Sequence, residues 1–271
     1  MPAGTMTKTL FGTAGLRRTG LIAAQLGLVA VLLLLWQFGV SDKNVAFFSR
    51  PLIVGEKLIE LAADPSFHRD IVVTLTEIAL GYAIGAGVGL SLGFILGRSR
   101  LMSDLLEPFI IGLYSIPKIA LAPLFIVWLG LGMPSKVAVV VLASFFLVFF
   151  NTYSGLLNVN EELVRLSRLM GASWRQSVVR VILPSSAHQI FIGLKTAVPY
   201  AVIGAVIGEY IGSNEGLGHF ILYASQTYDA PALFSGIMVL ILIVFVSNYA
   251  LNRLERTVIR WRHIEGAAVQ L

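Results

Sequence analysis

Residues 21–40 run for twenty positions without a charged side chain, and this stretch constrains the fold more than any other feature of the chain. At about 1.5 Å of rise per residue, roughly twenty apolar residues in a helix match the hydrocarbon core of a bilayer. Five further apolar stretches follow, at 71–97, 105–131, 136–157, 188–211 and 232–251. Backbone groups in lipid must be satisfied within the segment, which leaves helices as the spanning element for stretches of this length. The expected fold class is therefore all-α, a polytopic membrane protein with six transmembrane helices. Composition agrees. The chain is 56% hydrophobic and only 13% charged, with mean hydropathy +0.82, whereas a soluble domain is about a quarter charged. Lys8, Arg17 and Arg18 precede the first run as they would in a signal peptide. The run is long enough to span, so it reads as an uncleaved first helix.

Six spans place both termini on one side. Of the twenty Lys and Arg residues, thirteen fall in the termini and the even-numbered connections, five in the odd-numbered ones, and Lys118 and Lys195 within spans. The richer side is expected to be cytoplasmic. On this reading residues 1–20 are a cytoplasmic tail, of which 1–16 lack structure. Residues 21–252 form a single membrane domain that includes a cytoplasmic hairpin at 158–184, and 253–271 form a second cytoplasmic tail. The net charge of +5 reflects this sidedness and does not call for nucleic acid as a partner.

The segment 158–184 is the longest polar interruption in the C-terminal two-thirds of the chain. It reads as two short helices around a turn. Asn160 is placed to cap the first, with Glu161 and Glu162 at its positive end. Met170-Gly171-Ala172 is the break, since glycine tolerates a left-handed exit. Ser173 and Gln176 have capping-box spacing for the second helix. Trp174, Val178, Val181 and Ile182 then share a face, and Pro184 is expected to close the segment. A DNA-binding helix-turn-helix also often carries a glycine in its turn, but the apolar spans on both sides would hold this one against a membrane.

This segment resembles the coupling segment of permeases of binding-protein-dependent ABC importers. The family pattern is Glu-Ala-Ala, three residues, Gly, nine residues, then an apolar residue, any residue and Leu-Pro. Gly171 and Val181-Ile182-Leu183-Pro184 fit it. The triplet does not: its positions hold Arg165, Leu166 and Ser167, so a contact made by the family carboxylate is not carried over. The resemblance extends over about residues 47–262, to the sulfonate, nitrate and taurine group. It includes Leu121-Ala-Pro-Leu-Phe-Ile-Val-Trp-Leu-Gly130 and Gly208-Glu-Tyr-Ile-Gly-Ser-Asn-Glu-Gly-Leu-Gly218. It implies the type I importer (MetI-like) permease fold in a bacterial inner membrane, and no cofactor. The partners implied are a second permease copy forming a homodimer, separate cytoplasmic ABC ATPase subunits and a periplasmic or extracellular solute-binding protein. The residues implied for ATPase coupling are Glu161, Glu162, Leu163, Leu166, Arg168, Met170, Gly171, Ala172, Ser173, Trp174, Arg175 and Pro184.

Within the spans, Gly81, Gly85, Gly89, Gly93 and Gly97 recur every fourth residue, as do Gly204, Gly208 and Gly212. Each ladder predicts a helix face that another backbone approaches closely. Pro108, Pro117 and Pro123 predict a broken or bent third span. The fourth, 136–157, is rich in Val and Phe and otherwise featureless. Short helices are expected at 53–62 and within 213–231. A charge at mid-membrane costs about 2.5–3.5 kcal/mol on insertion scales, so each needs an explanation. Glu77 is expected to reach the headgroups and Lys195 to snorkel to the cytoplasmic interface. Pro117, Lys118, Pro123 and Glu209 are candidates for the solute pathway, with Lys118 facing a passage and Glu209 in a packing or gating role.

The chemistry-bearing patterns are missing. There is no cysteine, and His68, His188, His219 and His263 show no ligand spacing. No Gly-x-x-x-x-Gly-Lys-Ser/Thr loop or His-Glu-x-x-His occurs. The resemblance implies a non-catalytic permease for a small anionic organic solute of the sulfonate, taurine or nitrate kind, with ATP hydrolysis on another polypeptide. The alternative is a self-contained secondary transporter, for which the intramembrane acids Glu77 and Glu209 are few. A membrane enzyme would need a constellation the spans do not carry.

Overall fold

The computed structural model describes residues 7–41 and 45–259, and among these there is helix and no strand. Four helical runs are long and apolar enough to cross a membrane: Pro65–Arg98, Met133–Leu157, Trp174–Gly212 and Ala230–Val258. The apolar run that begins at residue 21 lies in one continuous helix, Thr7–Gly39, and the third expected span is divided. The six expected crossings are thus not six uniform helices. The chain divides into two compact units, residues 1–63 with 224–235, and 64–223 with 236–271.

The first unit holds α1 (Thr7–Gly39), α2 (Val45–Phe48) and α3 (Pro51–Leu61). α1 starts well inside the segment expected to lack structure; no proline interrupts residues 7–20. Its apolar side chains face outward, with Leu21, Leu26 and Leu35 exposed, as a helix solvated by lipid requires. Arg50 closes the turn after α1 by donating from Nη2 to the Val40 carbonyl at 2.9 Å, and Trp36 stacks obliquely on Phe234. α3 occupies the place of the short helix expected at 53–62.

The second unit is built around α7 (Met133–Leu157), the span that carried no sequence signal beyond Val and Phe. α4 (Pro65–Arg98) and α10 (Leu183–Gly212) pack against it. The α4 ladder is the reason for the first contact. A Cβ at Gly89 would lie 2.9 Å from the Phe145 carbonyl oxygen, and one at Gly93 2.8 Å from Thr152 Cβ. Gly81 and Gly85 meet Val140 and Ser144 in the same way. The opposite face of α4 carries Leu80, Ile84, Val88, Leu92 and Ile95, all exposed. The second ladder does likewise on α10: Gly204 would place a Cβ 3.1 Å from Val140 Cα, and Gly208 one 3.2 Å from Lys136 Cα. The interior is thus small and close-packed and the exterior large and apolar, as expected where lipid replaces water. On α7, Phe149 stacks on Tyr153 with ring centres 5.8 Å apart, and the Tyr153 hydroxyl contacts that of Ser103.

The third expected span is broken as predicted, but its three prolines act differently. Pro108 is carried inside α5 (Arg100–Tyr114). Pro117 lies in the break, which continues as a 3-10 turn at Lys118–Leu121. Pro123 sits in the first turn of α6 (Ala122–Leu129), where no intrahelical donor is lost. Gly130 and Gly132, at φ +80° and +123°, turn the chain into α7.

Pro184 does not close the hairpin. The helix runs on through it from Trp174 to Gly212. A five-residue π-turn at Val178–Ile182 absorbs the proline, with the Leu183 N–H reaching back to the Val178 carbonyl. A normal helix would clash with the ring at that point; widening the preceding turn relieves it.

Two further expectations are corrected. Glu77 does not reach the headgroups: it is fully buried and ion-paired with Lys136, itself almost fully buried. Lys195 does not simply snorkel. Its Nζ pairs with Glu255 at 2.7 Å and donates to Asn252 at 3.1 Å, tying α10 to α12 (Ala230–Val258). Both lysines found glutamates on neighbouring helices, which costs less than holding a lone charge in lipid.

Candidate functional site

The hairpin is built from α8 (Glu161–Leu169), a turn, and α9 (Trp174–Ser177). Asn160 Oδ1 accepts from the Glu162 N–H at 2.8 Å. The Ser173–Gln176 capping box is complete in both directions. Between them the turn is a Schellman motif: the Ala172 N–H bonds to the Ser167 carbonyl at 3.0 Å and the Gly171 N–H to Arg168 at 2.9 Å. This is why glycine stands at 171, where φ is +84°. The Ser177 hydroxyl then meets that of Ser167 at 2.8 Å across the two arms.

The first arm of the hairpin is anchored by Val164, buried with Leu156, Val159 and Ile182, against which Val178 and Val181 also pack. The arm's other leucines and Met170 point away: Leu163, Leu166, Leu169 and Met170 are exposed, the last two more than 80%. Leu163, Leu166, Met170 and Pro184 are brought together around a groove of about 450 Å³. Trp174, half exposed, is flanked by two guanidiniums, with Arg98 and Arg168 carbons 5.3 and 5.1 Å from its ring centre. Each such contact is worth about 0.5–1 kcal/mol at an exposed site. Arg98 was not among the expected hairpin residues. Glu161, Glu162 and Arg175 are exposed and stand off the groove; Arg165 pairs with Glu161 along the helix surface. Four apolar side chains, those of Leu163, Leu166, Leu169 and Met170, are thus exposed on one doubly capped element.

The four expected pathway residues do not form one site. Pro117 and Lys118 line a cavity of about 350 Å³ beside the break between α5 and α6. Pro123 is not among its lining residues. Glu209 lies elsewhere, fully buried. It caps α11 (Leu217–Gln226), which fills the expected helix within 213–231. Gly218 N–H donates to Glu209 Oε2, Leu217 N–H to Thr74 Oγ1 at 2.8 Å, and Gly216 N–H to Asp70 Oδ1 at 2.7 Å. Thr74 in turn donates to Glu209 Oε1 at 2.6 Å. Three consecutive orphan donors at a positive helix end are thus satisfied by side chains from α4 and α10. A Cβ at Gly218 would lie 2.6 Å from Glu209 Oε2, which accounts for Gly-Leu-Gly there. Lys136 and Glu77 lie within electrostatic reach of Glu209, and Lys136 Nζ also donates to Ser213 at 3.0 Å.

Sequence reasoning missed Lys136 and Thr74. Lys136 opens the fourth expected span and is counted in the charge tally with the connection before it, yet one lysine and one glutamate near the same ends of two spans is a pairing signal. Thr74 gave none.

Comparison with known proteins yields a family match. Residues 85–260 match the model described as "Binding-protein-dependent transport system inner membrane component". The chain is 34% identical over 233 residues to the formylaminopyrimidine transport permease protein ThiX of Halalkalibacterium halodurans, covering 86% of this chain and 93% of that one. It is 29% identical over 238 residues to the putative aliphatic sulfonates transport permease protein SsuC of Bacillus subtilis, covering 87% and 86%. Among solved structures, an inward-facing form of the MetNI methionine ABC transporter superposes with TM-score 0.63 at 21% identity, over 75% of this chain and 98% of that one.

Proposed function

The chain belongs to the family of binding-protein-dependent transport system inner membrane components, and on that premise we propose that it carries a small organic anion through the membrane and is driven through its 158–184 hairpin. It is an ABC-importer permease, the translocation subunit, and a multi-pass membrane protein. The finer reading adds the parts the chain lacks. ATP hydrolysis falls to separate cytoplasmic ATPase subunits, delivery of the solute to a solute-binding protein outside, and closure of the pathway to a second copy of this permease. Both termini and the hairpin face the cytoplasm, and residues 21–252 act as one permease domain.

The observation that carries this reading is the hairpin itself. Leu163, Leu166 and Met170 are held out of the core on an element whose ends are capped and whose base is pinned by Val164. Apolar side chains kept exposed on a rigid support mark an interaction surface. Exposed Arg168 and Arg175 supply rim charges that orient a partner more than they bind it. The test is co-purification of the ATPase subunits with Leu166→Asp and Met170→Asp. Loss of the ATPase with unchanged melting of the permease supports the assignment. Undiminished association and uptake in both variants overturns it, and uptake that follows a proton gradient in the absence of ATP favours a secondary transporter.

A further inference from the structure

We propose that the cavity beside the break between α5 and α6 binds an organic monoanion with an apolar body, its anionic group on the Lys118 ammonium. The proposal rests on reading the chain as an importer permease and names the class of solute and the place it contacts.

The first reason is an uncompensated charge. Lys57, Lys136 and Lys195 each pair with a glutamate. Lys118 has no such ion pair among the described residues. Its Nζ lies 4.1 Å from the ring centre of Tyr114 and 5.2 Å from that of Phe146, with a long contact of 3.4 Å to the Tyr114 carbonyl. Aromatic faces soften the cost of holding a cation out of water but leave its charge available. The helix break fixes it there. Pro117 ends the regular helix, and the 3-10 turn that follows starts at Lys118.

The second reason is the wall. The cavity, about 350 Å³, is lined by Val139, Ala143 and Leu147 of α7 and by Tyr200, Ile203 and Ile207 of α10, and is open on one side, where Tyr200 and Ile203 are half exposed. No acidic residue lines it. That volume is at the small end of ligand sites, which combine apolar walls with one or two placed polar groups. One ammonium balances one negative charge. A bare inorganic anion would exchange its hydration for the Lys118 ammonium and at most the Tyr114 and Tyr200 hydroxyls, and would leave the apolar walls unfilled. A zwitterion would bring its own ammonium against Lys118. What fits is a sulfonate or carboxylate on an aliphatic or aromatic body.

The experiment is equilibrium binding of radiolabelled benzenesulfonate to the full-length protein in phosphatidylcholine nanodiscs, with benzenesulfonamide, taurine and nitrate as competitors. Saturable binding is expected, with none of the three competing. Lys118→Gln should weaken it by about tenfold or more, the weight of a hydrogen bond to a charged group. Lys118→Arg should retain it. Ile203→Trp, which adds bulk to the wall from an exposed position, should weaken it with Lys118 intact, so the result does not depend on one variant folding. Equal affinity in Lys118→Gln, or competition by the neutral sulfonamide, overturns the proposal. So does competition by added phosphatidylglycerol, which would assign the site to lipid. The assay needs no ATPase. Binding without ATPase association therefore sinks the importer reading alone, and ATPase association without binding sinks this site alone.

Discussion

Gly171 and Gly89 are both required to be glycine, for opposite reasons, and they mark the difference between the hairpin and the membrane interior. Gly171 has φ +84° and nothing within 4 Å of where a Cβ would stand. Gly89 sits in regular helix, but a Cβ there would lie 2.9 Å from one backbone oxygen and 3.1 Å from a backbone nitrogen of α7. One region needs a backbone conformation and leaves its surroundings open. The other needs space and has an ordinary backbone. The hairpin is stabilised by bonds between residues two to ten positions apart. The interior is held by residues more than 140 positions apart, such as Asp70 and Gly216 or Thr74 and Leu217. Local construction leaves the hairpin's apolar side chains free to dock, whereas long-range construction buries even its charges.

The comparison breaks first at Glu77. Glu77→Ala leaves Lys136 buried without its counter-charge, and a melt in detergent should show a loss of about 3–5 kcal/mol. The paired Glu77→Met, Lys136→Met variant should recover much of it; a double variant worse than either single one would show that the ion pair is not the cause. Next is Gly89→Val. Overpacking between α4 and α7 should cost about 1–3 kcal/mol by the same melt, and an unchanged melt would remove the ladder's role as a contact face. Gly171→Val should cost about 1–2 kcal/mol in the turn alone. It should leave the spans' melting intact but reduce ATPase co-purification, while Gly171→Asn, which tolerates a left-handed backbone, should be milder. If Gly171→Asn and Gly171→Val behave alike, conformation is not what position 171 demands. The smallest effect is expected at Asp64, which caps α4 outside the span. The Ser66 backbone N–H holds its carboxyl below the ordinary 3.8. A depressed folded-state pKa contributes stability that is present above the unfolded value and is lost as pH falls through the folded one. A slight loss below about pH 3.8 should therefore vanish in Asp64→Asn.

Much of the hairpin was legible because its signals are local. Asn160, Gly171, Ser173 and Gln176 take the roles that their spacing predicts. Pro184 was misread because a proline was taken as a stop, while a π-turn three-dimensionally continuous with α10 carries the helix past it. The glycine ladders correctly announced close contact but not the partner. Nothing in the Val- and Phe-rich sequence of α7 marked it as the helix both ladders press upon.

The pathway residues show the same limit. Pro117 and Lys118 are neighbours in sequence and share one cavity. Glu209, expected in a packing or gating role, packs as a cap for α11, nine residues away in sequence at Gly218 but completed by Thr74 and Asp70 from α4.

The sequence by itself determined the solvent, the helical class, the two capped arms of the hairpin and the break at Pro117. Each follows from hydropathy over one helix length or from bonds within a turn or two, which depend only on nearby residues. The tertiary structure alone decided that Glu77 meets Lys136, that α7 is central, and that Glu209 caps a helix end while Lys118, with no ion pair among the described residues, lies at a cavity. In lipid there is no hydrophobic pull to align helices. Which faces meet is settled by steric fit and charge pairing between segments far apart in the chain.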